Sequence, residues 1–116
     1  DVRNTLKTLK ERGVRIAVGS SSKNAPLILE RIGLDEMFDA VSDGNGLEKS
    51  KPDPEVFLKA AERLGLSPAE CLVVEDALSG IDAGVAGGFA TAGIGAAASY
   101  DKADYKLEKL SDILSL

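Results

Sequence analysis

The sequence predicts an α/β fold: a three-layer, doubly wound arrangement around a mostly parallel sheet. Two observations lead to this prediction. Helical and strand-forming segments alternate along the chain, separated by short links that are marked by glycine. The 116 residues, of which 44% are hydrophobic, also suffice for one domain with its own core. This alternation is typical of right-handed βαβ crossovers, which place helices on both faces of a parallel sheet.

Four segments are predicted in the first part of the chain. They are the helix Val2–Arg12, the strand Val14–Val18, a helix from Ala25 to Gly33 and the strand Phe38–Val41. Gly13 supplies the left-handed stop that commonly closes a helix. Asn24 is a candidate N-cap, and Pro26 is tolerated in the first turn that follows it.

The second part of the chain repeats the alternation. Asp53 as N-cap and Pro54 at the first helical position indicate a helix start. Ser67 and Glu70 have the spacing of a capping box. The predicted segments are the helix Glu55–Leu64, a helical turn at Ser67-Pro68-Ala69-Glu70, the strand Leu72–Val74, the helix Ser79–Ala86, the strand Phe89–Ile94, an edge strand Tyr105–Leu107 and a terminal helix capped by Ser111.

Composition excludes several classes of function. The net charge of −5 and the 4% aromatic content argue against nucleic acid or an anionic membrane as the main partner. The chain has no His, so acid–base or metal chemistry must use carboxylates, Lys or hydroxyls. Its one cysteine, Cys71, rules out an internal disulfide, is interpreted as a small buried hydrophobe, and fits a reducing cytoplasm.

Three polar stretches follow three predicted strands. They are Ser20-Ser21-Ser22-Lys23-Asn24 after the first strand, Lys51 after the second, and Glu75-Asp76 after the apolar third. Strand-to-helix loops of a parallel sheet share its carboxyl edge, so these stretches should meet there. Hydroxyls and a helix N-terminus can donate to phosphate oxygens, an ammonium can balance phosphate charge, and two acids can hold Mg²⁺. The set predicts a phosphoryl-transfer site that lacks only its nucleophile.

Each stretch also has a structural explanation. The serines could form a capping loop, Lys23 and Lys51 could be solvated surface lysines, and Glu75-Asp76 could be an exposed turn. Asp53 is assigned to helix capping and Asp82 to the solvated face of its helix. The functional interpretation depends on the three stretches occurring together and in this order.

Order and spacing resemble one family. The stretches that carry the likeness are Val18-Gly19-Ser20-Ser21-Ser22-Lys23-Asn24, Ser50-Lys51-Pro52-Asp53-Pro54 and Val74-Glu75-Asp76-Ala77-Leu78-Ser79-Gly80-Ile81, with Gly33-Leu34, Phe38-Asp39-Ala40 and Gly93-Ile94-Gly95 as matching scaffold. They are similar to motifs two, three and four of the haloacid dehalogenase-like superfamily of Mg²⁺-dependent phosphotransferases. Within it the β-phosphoglucomutases are most similar, because of Ser22-Lys23-Asn24.

The resemblance implies a role for each matched residue. Ser20 would donate its hydroxyl to the transferring phosphoryl group, helped by the backbone amide of Ser21, and Lys51 would neutralise charge beside the nucleophile. Glu75 and Asp76 would bind Mg²⁺. Ser22, Lys23 and Asn24 would hold the second phosphate of a sugar bisphosphate. The implied reaction interconverts β-glucose 1-phosphate and glucose 6-phosphate through the 1,6-bisphosphate and an aspartyl-phosphate enzyme.

The chain departs from the family pattern in two respects. Its first motif, an Asp-x-Asp-Gly-Thr-like run that carries the nucleophile, does not occur in this sequence, and neither does the helical cap. The expectation is therefore the C-terminal part of a Rossmann-like core (residues 1–116) whose central nucleophile strand is missing between the strands that carry Ser20 and Glu75. Such a chain should be inactive alone. Its two unpaired strand edges should either re-pair or be completed by another copy or a missing N-terminal segment.

Other functions stay open at this stage. A phosphatase of the same superfamily, acting on a small phosphomonoester, would use the same motifs but would not need Ser22-Lys23-Asn24. A signalling receiver domain has a similar length and similar residue types, but it places its acids first and its lysine last. A non-catalytic binding module would account for the missing nucleophile.

Overall fold

The computed structural model describes residues 2–20 and 23–116. Four α-helices and five strands lie in these ranges. In chain order they are α1 (Val2–Glu11), β1 (Ala17–Gly19), α2 (Ala25–Arg31), β2 (Ala40–Ser42), α3 (Glu55–Leu64), β3 (Leu72–Glu75), α4 (Leu78–Ala86), β4 (Ala90–Ile94) and β5 (Tyr105–Leu107). Short 3₁₀ turns cover Asp35–Met37, Pro68–Glu70, Gly95–Ala97 and Leu110–Ser115. The alternation of strand and helix confirms the predicted α/β class.

The strands form two separate parallel sheets. One pairs β1 with β2, with Val18 opposite Val41, and the other has the order β3-β4-β5. Within the described ranges no backbone pairing joins β1 to β3. The strands on either side of the expected gap therefore do not re-pair, and each keeps one edge without a ladder partner among the described strands.

Helix α3 connects the two sheets through the core. Its buried residues Val56, Phe57 and Ala61 form one cluster with Val73 of β3 and Phe89, together with Ala83 of α4. The rings of Phe57 and Phe89 meet edge to face, with centroids 6.1 Å apart and planes at 71°. This packing supplies the cohesion that a shared strand ladder would otherwise provide.

The Phe57 ring also lies against β1. A Cβ atom placed on Gly19 would come within 2.8 Å of the ring, so only glycine lets the strand approach this closely. The helix that carries Phe57 begins where the sequence predicted. The N-cap residue is Pro54 and not Asp53 as predicted, because the Pro54 carbonyl accepts the first helical hydrogen bonds. The Asp53 carboxylate still supports the first turn by accepting a hydrogen bond from the Glu55 amide at 3.0 Å.

Several predicted boundaries are wrong, and pairing explains the largest shift. β1 begins at Ala17 instead of Val14, and β2 covers Ala40–Ser42 instead of Phe38–Val41, because the register places Ala17 opposite Ala40. Val14 remains 45% exposed, outside the ladder. Periodicity finds β-prone residues, whereas the partner strand decides where the pairing begins.

The other cap predictions have mixed outcomes. Asn24 is the N-cap residue of α2, as predicted, although its side chain makes no capping hydrogen bond. Ser111 lies inside the last 3₁₀ turn, where Asp112 instead accepts from the amides of Glu108 and Lys109. Ser67 and Glu70 do form the predicted capping box.

Cys71 is half-buried and not fully buried as predicted. It packs against the core cluster around Phe57, and partial burial raises the pKa of its thiol. This agrees with an apolar role and not with that of a nucleophile. Among the described helices, none has the length and apolar character required to cross a lipid bilayer.

Candidate phosphate and metal site

Lys51 links the ends of β1 and β3. Its Nζ donates to Glu75 Oε2 at 2.6 Å and lies 3.5 Å from the carbonyl oxygen of Gly19. The side chains of Lys51 and Glu75 are only 19% and 12% exposed, which reduces screening by water. The structure therefore brings together two of the three predicted polar stretches, and Lys51 is not the solvated surface lysine of the alternative explanation.

An aromatic ring supports the ammonium group from one side. Lys51 Nζ lies 4.9 Å from the centroid of the Phe57 ring, within the range of a cation–π contact. Phe57 thus has two roles. It belongs to the core between the sheets, and it helps to position the Lys51 ammonium group, which contacts both sheets.

Glu75 is held against the beginning of α4. Its Oε1 accepts from the Ala77 amide at 3.2 Å, while its other oxygen bonds Lys51. A Cβ atom on Gly80 would overlap the Glu75 carboxylate, so glycine in the first turn of α4 makes room for it. Glycine at position 80 is therefore required by the Glu75 carboxylate that precedes the helix.

Ser20 follows β1 directly, beside the Gly19 carbonyl that Lys51 approaches. Its amide donates to the Ser42 carbonyl at 2.8 Å, which extends the β1–β2 pairing by one residue. Ser42 is 1% exposed, and its Oγ has no hydrogen-bond partner among the described residues. The buried hydroxyl of Ser42 thus belongs to the residue that bonds the backbone of Ser20, the predicted phosphate-binding serine.

Helix α3 also orients the loop that leads to Lys51. Glu55 accepts hydrogen bonds from the amides of Glu48 and Lys49, the shortest at 2.7 Å, and these bonds, led by that of Lys49, lower the pKa of its carboxyl group. Lys59 donates to the Gly46 carbonyl at 2.6 Å and pairs with Glu55 at 3.2 Å. Glu55 and Lys59 therefore hold in place the loop that precedes Lys51.

Asp76 is exposed and lies beside the turn that follows β4. A Cβ atom on Gly95, whose φ is +58°, would lie 3.8 Å from the Cβ of Asp76. The two acids thus differ in their surroundings. Glu75 is ion-paired and shielded, whereas Asp76 faces solvent at the carboxyl end of β3.

The third predicted stretch is only partly described. Ser21 and Ser22 lie outside the described residues. Lys23 and Asn24 are exposed at the start of α2, and the Lys23 carbonyl accepts from Asn45 Nδ2 at 3.4 Å. That contact joins the loop after β1 to the loop after β2.

The structure corrects the interpretation of Asp82. It is half-buried and not simply solvated, because its Oδ1 accepts from the Tyr100 hydroxyl at 2.7 Å and lies 3.5 Å from Lys102 Nζ. The Asp82 bond raises the pKa of Tyr100, and the Asp82 charge raises the pKa of Lys102. Tyr100 and Asp82 are 18 residues apart, and no local pattern in the sequence indicates that they meet.

Comparison with known proteins agrees with this geometry. The family model of haloacid dehalogenase-like hydrolases matches residues 1–88. A β-phosphoglucomutase of Bacillus subtilis is 41% identical over 108 residues, covering 93% of this chain and 48% of that protein. The crystal structure of β-phosphoglucomutase from Clostridium difficile superposes with a TM-score of 0.89 at 30% identity, over 98% of this chain and 53% of that one. A haloacid dehalogenase-like phosphatase from Thermococcus onnurineus gives 0.88, also at 30% identity, over 97% and 54%.

The parallel sheets with their flanking helices define the class, a Rossmann-like α/β protein. The chain belongs to the haloacid dehalogenase-like hydrolase family. Both mutases and phosphatases are among its relatives, and the chain spans about half the length of those compared here.

Proposed function

We propose that this chain forms the phosphate- and metal-binding part of a β-phosphoglucomutase, which interconverts β-glucose 1-phosphate and glucose 6-phosphate. The observation that carries the proposal is the position of Lys51, which contacts Glu75 at the end of β3 and the Gly19 carbonyl at the end of β1. Relatives named as phosphatases have similar identities, 42% and 40%, but cover only 65% and 66% of this chain. The match to the Bacillus subtilis mutase over 93% of the chain and the Lys23-Asn24 pair at the start of α2 support the mutase over other family reactions.

The described residues would divide the work by charge. The Ser20 hydroxyl would donate to an oxygen of the transferring phosphoryl group, and the Lys51 ammonium would lie between that group and the attacking carboxylate. In phosphoryl transfer the protein contributes mainly by positioning and by stabilising charge, which a preorganised ammonium does well. Lys23 and Asn24, with Ser22, would bind the second phosphate of the bisphosphate.

Glu75 and Asp76 would hold Mg²⁺. The described residues contain no group of three or more His, Cys, Asp or Glu side chains that could bind a metal. Two carboxylates nevertheless fit Mg²⁺, which commonly takes one or two protein carboxylates and completes its shell with water and substrate phosphate. The ion would neutralise charge on the phosphoryl oxygens.

The nucleophile would come from outside the 116 residues, because they contain no Asp-x-Asp run. In our proposal a further strand, supplied by an additional segment of the same protein or by another copy, fills the space between β1 and β3. Among the described strands, β1 and β3 each have one edge without a ladder partner, which supports this completion. It follows that the chain alone should bind phosphate but turn over no sugar phosphate.

The test is a coupled assay on the protein encoded by the complete reading frame that contains this chain. β-Glucose 1-phosphate with a trace of the bisphosphate should yield glucose 6-phosphate in a Mg²⁺-dependent manner. Lys51→Met should lower kcat about 10²- to 10³-fold, as expected when one charge-stabilising donor is lost. Lys49→Met, at an exposed lysine two residues away, is the matched control and should retain activity.

Two outcomes would contradict the proposal. Turnover by the 116-residue chain alone would show that the nucleophile lies within it. Equal activity of the Lys51 and Lys49 variants would remove Lys51 from the reaction.

A phosphatase is the second candidate, supported by the equally good superposition of the Thermococcus onnurineus enzyme. The two candidates differ in their use of the second phosphate. For a mutase, Lys23→Ala should raise the concentration of bisphosphate required for half-maximal rate. For a phosphatase the same change should leave the rate of inorganic phosphate release unchanged. A protein that binds phosphate but turns over neither substrate would be the binding module.

A further inference from the structure

Residues 95–104, which connect β4 to β5, are held at two places, one on strand β4 and the other on helix α4. At the far end, Asp104 Oδ2 accepts from the Thr91 amide at 2.9 Å and from its hydroxyl at 3.3 Å, and the Thr91 hydroxyl accepts in turn from the Asp104 amide at 3.2 Å. This attachment lies near the beginning of β4, away from the acid pair at the carboxyl edge of the sheet.

The second attachment is the contact of Tyr100 with α4. Tyr100 packs against the buried residues Ile81, Ala97 and Ala103, and its hydroxyl donates to Asp82 at 2.7 Å. Because Ile81 and Asp82 belong to the helix that follows Glu75-Asp76, the contact connects residues 95–104 to the same element that the acid pair precedes.

The Gly95–Ala97 turn, which precedes both attachments in the chain, lies beside Asp76. It folds back so closely over β4 that a Cβ atom on Gly93 would collide with the Ala97 carbonyl. Its first residue, Gly95, approaches the Asp76 side chain. Asp76 is exposed and forms no ion pair among the described residues, so the neighbouring Gly95 backbone is the contact on which the inference depends.

We propose that Tyr100, by donating to Asp82, is a positioning residue that fixes the Gly95–Ala97 turn against Asp76 and thereby sets the affinity for Mg²⁺. The inference rests on the proposed function, because it takes Asp76 as a metal ligand. Lys102 contributes charge to the same carboxylate from 3.5 Å, but its side chain is 62% exposed, so its contribution is the smaller one.

The experiment compares Tyr100→Phe with the unchanged protein encoded by the complete reading frame. Mg²⁺ alone is titrated while the backbone NMR signals of Asp76 and Gly95 are followed. We expect the Mg²⁺ dissociation constant to rise about 3- to 10-fold, less than the 10- to 100-fold seen when a group bonded directly to a metal ligand is removed. At saturating Mg²⁺, kcat should stay within about twofold, since the reacting groups are unchanged.

Two controls separate positioning from loss of stability. Thr91→Val removes the other attachment, and it should lower the melting temperature without changing the Mg²⁺ dissociation constant. Asp82→Asn keeps an acceptor for the Tyr100 hydroxyl and should preserve Mg²⁺ affinity, whereas Asp82→Ala should weaken it as Tyr100→Phe does.

Three results would overturn the inference. They are an unchanged dissociation constant in Tyr100→Phe, an equal increase in Thr91→Val, and absence of Mg²⁺ binding in the unchanged protein. Failure of the proposed function is a different result. A protein that binds Mg²⁺ at Asp76 but turns over no sugar phosphate would refute the mutase and leave this metal comparison intact.

Discussion

The two sheets of this chain obey the same βα rules but differ in how they are stabilised. In the second sheet, Thr91, Ala92 and Gly93 of β4 are all buried, with β3 and β5 paired on either side. In the first sheet every residue of β1 is only half-buried, and β2 is the one strand paired with it among those described. The first sheet therefore depends on α3 for its core, whereas the second has an internal strand of its own.

The candidate site lies across this difference. The first sheet and its loops supply the hydroxyl of Ser20 and the ammonium of Lys51, and the second sheet supplies the carboxylates of Glu75 and Asp76. The contact of Lys51 with Glu75 joins groups from both sheets. A site of this kind is assembled only while the two sheets keep their relative position, which makes the packing of α3 a functional feature.

Replacing the aromatic residue at the centre of that packing should have the largest effect. Phe57→Ala removes the contacts with Phe89 and Gly19, and it should lower the free energy of unfolding by about 3–5 kcal/mol. Urea denaturation measures the loss, and hydrogen exchange at Val18 and Val73 shows whether both sheets lose protection together.

The controls for this change lie on the same helix. Leu58→Ala, at a side chain that is 40% exposed, should cost far less. If Phe57→Ala does not fold, Phe57→Leu provides a milder test of the same contact. Loss of protection in one sheet alone would show that α3 does not join them, and the comparison would then have to be abandoned.

Much of the fold could be predicted from the sequence, because its signals are local. The bounds of α3 follow from Asp53, Pro54 and Gly65, and β5 has its predicted bounds. The start of β1 could not be predicted, since it is decided by a partner strand more than twenty residues away.

The site shows the same division. The rule that strand-to-helix loops share an edge predicted that Lys51 and Glu75 would meet, and they do. Nothing local connects Tyr100 with Asp82, or shows that the Ser42 hydroxyl is buried. Such contacts arise from tertiary packing, for which a single sequence carries no periodic signal.

Lowering the pH should have a smaller effect than Phe57→Ala, and it also tests the difference between the two sheets. Hydrogen bonds from the Lys49 and Glu48 amides lower the pKa of Glu55, and those from Ser67 lower the pKa of Glu70. A carboxyl group whose pKa is lower in the folded state stabilises the protein above its unfolded pKa, and this stabilisation is lost as the pH falls through the folded value. We therefore expect the melting temperature to decline below about pH 4.5.

Glu55 and Glu70 bond to different parts of the chain, so their variants should differ in hydrogen exchange at Glu48. Glu55→Gln should flatten the acid dependence and increase hydrogen exchange at Glu48 and Lys49, in the loop that precedes Lys51. Glu70→Gln should flatten it without affecting that loop, because its bonds are made to Ser67 ahead of β3. Equal exchange at Glu48 in both variants would show that Glu55 does not orient the loop.

The smallest expected effect separates two buried hydroxyl groups, one from each sheet. Thr91 is fully buried and satisfied by Asp104, whereas Ser42 is equally buried and its Oγ has no partner among the described residues. Removing a hydrogen-bonded hydroxyl leaves its partner without a bond, so Thr91→Val should lower the free energy of unfolding by about 1–2 kcal/mol. Removing a hydroxyl that has no hydrogen bond leaves no group unpaired. Ser42→Ala should therefore change the free energy of unfolding by less than about 0.5 kcal/mol, or raise it. A loss of more than 1 kcal/mol in Ser42→Ala, measured by urea denaturation, would mean that the Ser42 hydroxyl is bonded in solution. The buried hydroxyl groups of both sheets would then be hydrogen-bonded. The two sheets would differ only in their apolar packing, which for the first sheet is supplied by α3.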